Sequence, residues 1–132
     1  MKNMEVFLSK ETSQSFSALQ CSHPKINTEG FLIGHKRGNM FFVENILPSP
    51  KGIFSSPQKY FQLKKMLEDK ILGFYSFQPN ETLIKKILAP FAYGKILICL
   101  DLDKTDRLEI MPFVIGHDKN FFLQPIKLKL AI

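Results

Sequence analysis

The sequence predicts an α/β fold, a mixed sheet flanked by helices in a single domain over residues 1–132. Three observations predict it. At 132 residues the chain is one domain long, enough to bury about two-thirds of the surface that its unfolded form exposes. Segments of helical periodicity alternate with short apolar runs, in the order helix, hairpin, helix, strand, helix, strands. One of those runs, Ile71 to Phe77, reads as a buried strand, and it is the element around which the rest is arranged.

Each element has a local reason. After a short apolar start, Met4 to Leu8, Ser9 is a suitable N-cap and Glu11 places an acid in the first turn, where the helix dipole favours it. That helix runs to about Cys21 and stops at His23-Pro24. Glu29 to His35 is a strand, continuous enough in apolar residues to be covered on both faces. The polar turn Lys36-Arg37-Gly38-Asn39 returns it as Met40 to Leu47, completing a hairpin. Pro48 to Gly52 is a loop, since prolines cannot donate to a ladder. Pro57 fits the first turn of a second helix, on which Tyr60, Phe61, Leu63, Lys64 and Leu67 follow at helical spacing. After the central strand, Asn80 caps a third helix with Leu83, Ile84, Ile87 and Leu88 on one stripe, and Pro90 ends it. Tyr93 to Leu102, Leu108 to Ile115 and Asn120 to Leu130 are three further strands, separated by the turns 101–106 and 116–119.

Composition narrows the function classes. The hydrophobic fraction is 45% with 13 Phe, and no run approaches the roughly 18 apolar residues of a membrane span. Residues 1–10 carry Lys2, Glu5 and Lys10 and no apolar h-region, so no secretory signal is expected and the cytoplasm is the expected location. Cys21 and Cys99 form no Cys-x-x-Cys pair and are expected to be free or buried thiols. The net charge of +6 is concentrated in residues 51–100, with eight basic against three acidic side chains. Lys64, Lys65, Lys85 and Lys86 in that stretch are candidates for a basic patch, although a solvated lysine face on two helices accounts for them equally well.

Ile71 to Pro79 reads Ile-Leu-Gly-Phe-Tyr-Ser-Phe-Gln-Pro. It resembles the Gly-Trp-Tyr-His-Ser-His-Pro signature of the JAB/MPN (JAMM) metalloprotease family, keeping Gly73, Tyr75 and Pro79 and replacing both histidines by Ser76 and Gln78. Gly30 to Gly34 is similar to that family's first core strand, and Val43 to Pro50 to the strand that follows it. Glu29 to Gly34 and Gly73 to Phe77 are similar to the non-catalytic branch that includes Abraxas-type scaffold subunits. The resemblance spans nearly the whole chain and implies an MPN/JAB-like (cytidine-deaminase-like) fold. By register, the family's glutamate, two histidines and aspartate fall on Asn27, Ser76, Gln78 and Ala89, and its serine on Lys86. A hydroxyl, two amides and a methyl make a poor zinc site, so the resemblance implies a pseudoenzyme with no metal and no cofactor. It also implies ubiquitin-like proteins as ligands.

The residues also bear on other chemistries. Glu29, shifted by two places, would restore a general base, but with no metal-bound water to deprotonate. His23, His35 and His117 share no motif, and Cys21-Ser22-His23 supplies only half a zinc site. Asp101, Asp103 and Asp106 lack the glycine and final glutamate of an EF-hand loop and read as a hairpin turn. Ser76 as a nucleophile has no base assigned to it by sequence. Lys36 to Val43 interleaves basic and aromatic residues as an RNA-binding strand does, with Phe41 and Phe42 as stacking candidates. The preferred expectation is a catalytically inactive scaffold module that forms a homo- or hetero-dimer. Phe16 and Leu19 on the first helix, and Tyr60, Phe61, Leu63 and Leu67 on the second, are its candidate contacts. A basic nucleic-acid or acidic-ligand binder and a divergent hydrolase are the alternatives, and no membrane association is expected.

Overall fold

The computed structural model describes residues 4–20, 29–48, 65 and 70–130. In chain order its elements are β1 (Glu5–Leu8), α1 (Lys10–Gln20), β2 (Glu29–Arg37), β3 (Met40–Pro48), β4 (Ile71–Phe77) and α2 (Glu81–Ile87). A 3-10 turn at Pro90–Ala92 follows, then β5 (Ile96–Leu102), β6 (Leu108–Asp118), β7 (Asn120–Pro125) and β8 (Lys127–Leu130). The eight strands form one sheet in the order β7-β6-β5-β4-β2-β3-β1-β8. β4 pairs parallel with β5 across the α2 connection, β1 pairs parallel with both β3 and β8, and the remaining pairs are antiparallel.

The expected helix-flanked, MPN/JAB-like α/β sheet is therefore corrected. The described chain is mostly β, a single sheet curled into a half-barrel with two helices. The curl follows from who shares a core. Val6 of β1 and Val114 of β6 belong to one buried cluster although they stand five strand spacings apart, about 24 Å on a flat sheet. Only a sheet bent back on itself brings them to one interior. The same cluster holds Phe16 of α1, Leu32, Phe41, Tyr75 and Ile98, so α1 packs inside the curl. A second cluster on the outer side joins Phe31, Phe74, Leu97, Cys99 and Ile115 to Ile87 of α2 and to Ala92. With a core on each side, β4 is buried from Ile71 through Ser76.

The residues 120–130, expected to form one strand, divide at Ile126. Up to Pro125 they pair with β6; from Lys127 they pair with β1 at the other end of the sheet. Ile126 itself donates its N–H to the Pro112 carbonyl at 3.1 Å. Seven flat spacings would separate β7 from β8 by about 34 Å, whereas two residues reach at most ~7.6 Å. This one segment thus fastens both ends of the sheet. The expected turn at 116–119 also shrinks: β6 continues to Asp118, which pairs with Asn120, leaving only Lys119 in the left-handed region (φ 68).

The capping expectations hold. The Thr12 N–H donates to Ser9 Oγ at 3.1 Å, and the Leu83 N–H donates to Asn80 Oδ1 at 2.9 Å, satisfying helix-start donors at both sites. Ser9 also donates its hydroxyl to the Glu44 carbonyl at 2.9 Å, tying α1 to β3. The expected second helix, with Tyr60, Phe61, Leu63, Lys64 and Leu67, lies outside the described residues; Lys65, described by itself, is helical and exposed. No helix among the described residues is long and apolar enough to cross a membrane.

Candidate functional site

β4, α2 and β5 make a parallel crossover unit, and the carboxyl ends of such strands are where open α/β sheets collect ligands. A shallow cleft lies there, lined by Gln78, Pro79, Cys99, Leu100, Asp101, Met111 and Phe113. Ser76 is the register partner of Cys99, so both belong to the outer face, and both are buried. Gln78 has left the strand, with a left-handed backbone (φ 49) rare for a residue with a side chain. Two bonds hold it there. Its N–H donates to the Leu100 carbonyl at 2.8 Å, and its Nε2 donates to Asp101 Oδ1 at 2.8 Å. The same Asp101 oxygen accepts the Leu102 N–H at 2.7 Å.

The described lining of the cleft offers one thiol, Cys99, and one carboxylate, Asp101. Among the described residues no three His, Cys, Asp or Glu gather where they could hold a metal ion. Of the four positions given by register, Ser76 is buried in the strand and Gln78 is exposed beyond it. Ala89 lies half-buried past the end of α2, and Asn27 falls outside the described residues. Lys86 is exposed on the last turn of α2. Burial pushes the Cys99 thiol up to about 11, so it is protonated near neutral pH and a weak nucleophile. His35 contacts Glu44 through Nδ1 and stacks on Phe42 at 5.0 Å, while His117 packs against Phe121 at 4.6 Å; neither lines the cleft. Cys21 and His23 lie outside the described residues.

The acidic turn is a turn. Asp103 Oδ1 accepts from the Thr105 hydroxyl and N–H, each at 2.7 Å, and from the Arg107 N–H at 2.9 Å. The Thr105 hydroxyl, followed by the two backbone donors, holds that carboxyl below the usual aspartate range. Asp106 takes the left-handed conformation (φ 60) that closes the loop.

The fold is shared with solved structures. The solution structure of protein DSY2949 from Desulfitobacterium hafniense matches with a TM-score of 0.60 at 18% identity, over 96% of this chain and 94% of that one. At that identity the likeness is one of fold alone. No family model matches the sequence, and no curated protein does.

The structure places the other candidates differently from the sequence. Phe16 is fully buried, edge-on to Tyr75 at 5.4 Å, so it belongs to the core and not to a contact surface. The Leu19 side chain lies outside what is described. Phe41 is 1% exposed and cannot stack on a base; Phe42 is sandwiched by His35 and Phe7, the latter at 5.7 Å. Lys65, Lys85 and Lys86 are exposed, and Lys64 lies outside the described residues. Sequence reasoning missed Tyr93, which is 63% exposed beside His117 and Phe121. Its one signal was position, an aromatic residue just past the turn that Pro90 opens and just before Gly94 (φ 79).

Tyr75 brings a polar group into the core inside the curl. It is fully buried, and its hydroxyl has no hydrogen-bond partner among the described residues. Burial first, and the charge of Glu29 second, drive its acidity down, so the phenol stays neutral. A buried hydroxyl without a partner costs about 1–3 kcal/mol. Tyr75→Phe is therefore expected to stabilise the fold by about 1 kcal/mol, read as a higher urea midpoint. A lower midpoint would mean that the hydroxyl has a partner.

Proposed function

We propose that the chain is a non-catalytic protein-interaction module, and that it meets a second protein chain through the rim where β6 turns into β7. The observation that carries this reading is Tyr93, the most exposed large apolar side chain among the described residues, standing with His117 and Phe121 on the outer side of that rim. Tyrosine is enriched at the desolvated centres of interfaces, where an amphipathic ring contributes area with few rotamers to freeze. No described strand pairs with the far edge of β7, whose Phe121, Phe122 and Leu123 are partly buried. An apolar edge of that kind is a ready contact for another chain. The absence of catalysis on this reading rests on the cleft: a protonated Cys99, a Ser76 with neither described histidine beside it, and an Asp101 engaged by the protein's own donors. We place the module in the cytoplasm, a reducing compartment with which the free, buried Cys99 thiol is compatible.

The test is association. Light scattering at increasing concentration is expected to show a dimer, or affinity capture a stoichiometric partner. Tyr93→Asp is expected to weaken that association at least about tenfold while leaving the circular dichroism spectrum unchanged. A wild-type chain that stays monomeric at high concentration and retains no partner would remove the proposal.

A further inference from the structure

On the concave side of the same rim, the open end of the curl encloses a cavity of about 330 Å³. That is near the lower end of the roughly 300–1,000 Å³ typical of small-molecule sites. Its walls are apolar, chiefly Val114, Phe122, Ile126 and Met4, while Lys36, Gln124 and Tyr93 bring polar groups to its border. Gly116 is the register partner of Phe122, and a Cβ on it would meet that ring at 2.8 Å. The missing side chain therefore lets the Phe122 ring lie against the β6 backbone, where it forms part of the wall.

The charge of the cavity has one sign. Lys36 is the fixed cation among the described lining residues, and none of them is acidic. The Lys36 ammonium stands 5.0 Å from the Phe41 ring centroid, a contact that positions it without neutralising it. Neither ion pair recorded for the described residues involves it. A cationic group at the border of an apolar cavity, with an amide donor also on that border and a ring for a wall, suits an anion with a flat apolar body.

We propose that this cavity binds a small aromatic carboxylate, the carboxylate paired with Lys36 and Gln124 and the ring packed on Phe122. The cavity shares Tyr93 with the interaction rim, but Lys36, Phe122 and Gln124 lie on the concave side whereas His117 and Phe121 pack together on the other face of the same two strands.

The test titrates isotope-labelled full chain with benzoate and, in parallel, with the neutral isostere benzamide, following backbone amide shifts. Benzoate is expected to saturate shifts at Gly116, Phe122 and Gln124 with a Kd in the millimolar range, as suits so small a ligand, and benzamide to bind about tenfold more weakly. Lys36→Met is expected to weaken benzoate about tenfold, Lys36→Arg to retain most of the affinity, and the distant Lys85→Met to change nothing. Equal affinity for the two compounds, undiminished binding to Lys36→Met, or shifts scattered over surface lysines would each overturn the proposal.

Discussion

Phe16→Ala is expected to destabilise the fold by about 3–5 kcal/mol, seen as a lower urea midpoint with little change in slope. The side chain is fully buried, meets Tyr75 edge-on, and shares its cluster with residues of six of the eight strands, β1 to β6. Removing it empties the centre of the curl, where the surrounding strands are held by their own ladders and cannot collapse inward. The result also separates two roles for α1. An interface residue would leave stability nearly unchanged and weaken partner binding, so a loss below about 1 kcal/mol would return α1 to the list of contact surfaces.

Gly73→Ala is expected to do more than ordinary overpacking, which costs about 1–3 kcal/mol, and to leave little folded protein. A Cβ at that position would lie 1.9 Å from the Ile96 carbonyl oxygen and 2.7 Å from both the Ile96 carbonyl carbon and nitrogen. All three are backbone atoms of β5, so no rotamer change relieves the clash. Gly73 is also where β4 begins to pair with β5, next to the register shift between β2 and β4. Gly38→Ala is the control. Its backbone is left-handed (φ 56) with open space around it, and the substitution is expected to cost only about 1–2 kcal/mol. If the two variants were equally stable, close strand approach would not be what reserves position 73 for glycine.

Local features were legible in the sequence because local forces make them. Ile71–Phe77 was read with the bounds it has, and Ser9 and Asn80 cap the helices they were expected to cap. The curl was not legible, because it depends on Lys127–Leu130 finding β1 across the whole length of the chain, a pairing to which no local pattern points. The residues behind the MPN/JAB resemblance show a related lesson. Gly73 answers to the approach of Ile96, and Tyr75 to the space beside Phe16 and over Gly30, where a Cβ would meet its hydroxyl at 2.8 Å. Both carry packing demands of the central strand. The candidate site was legible in part: Gln78 was singled out, but alternation along an ideal strand gave no warning of its left-handed turn toward Asp101. Tyr93 and the cavity at the mouth were missed because their members come from the residue before β1, from β2, from the turn before β5, and from β6 and β7, which only the curl unites.

The division at Ile126 bears on the order in which the molecule can be made. β1 is synthesised well before β8, yet β8 is one of its two neighbours in the sheet. Until Leu130 has appeared, β1 has one open flank and α1 covers an interior with no closing side. Such long-range pairing slows folding and leaves intermediates with exposed strand edges. A nascent chain arrested shortly before Lys127 should accordingly be digested by protease as readily as an unfolded one, and protection should appear in a single step once β8 is released.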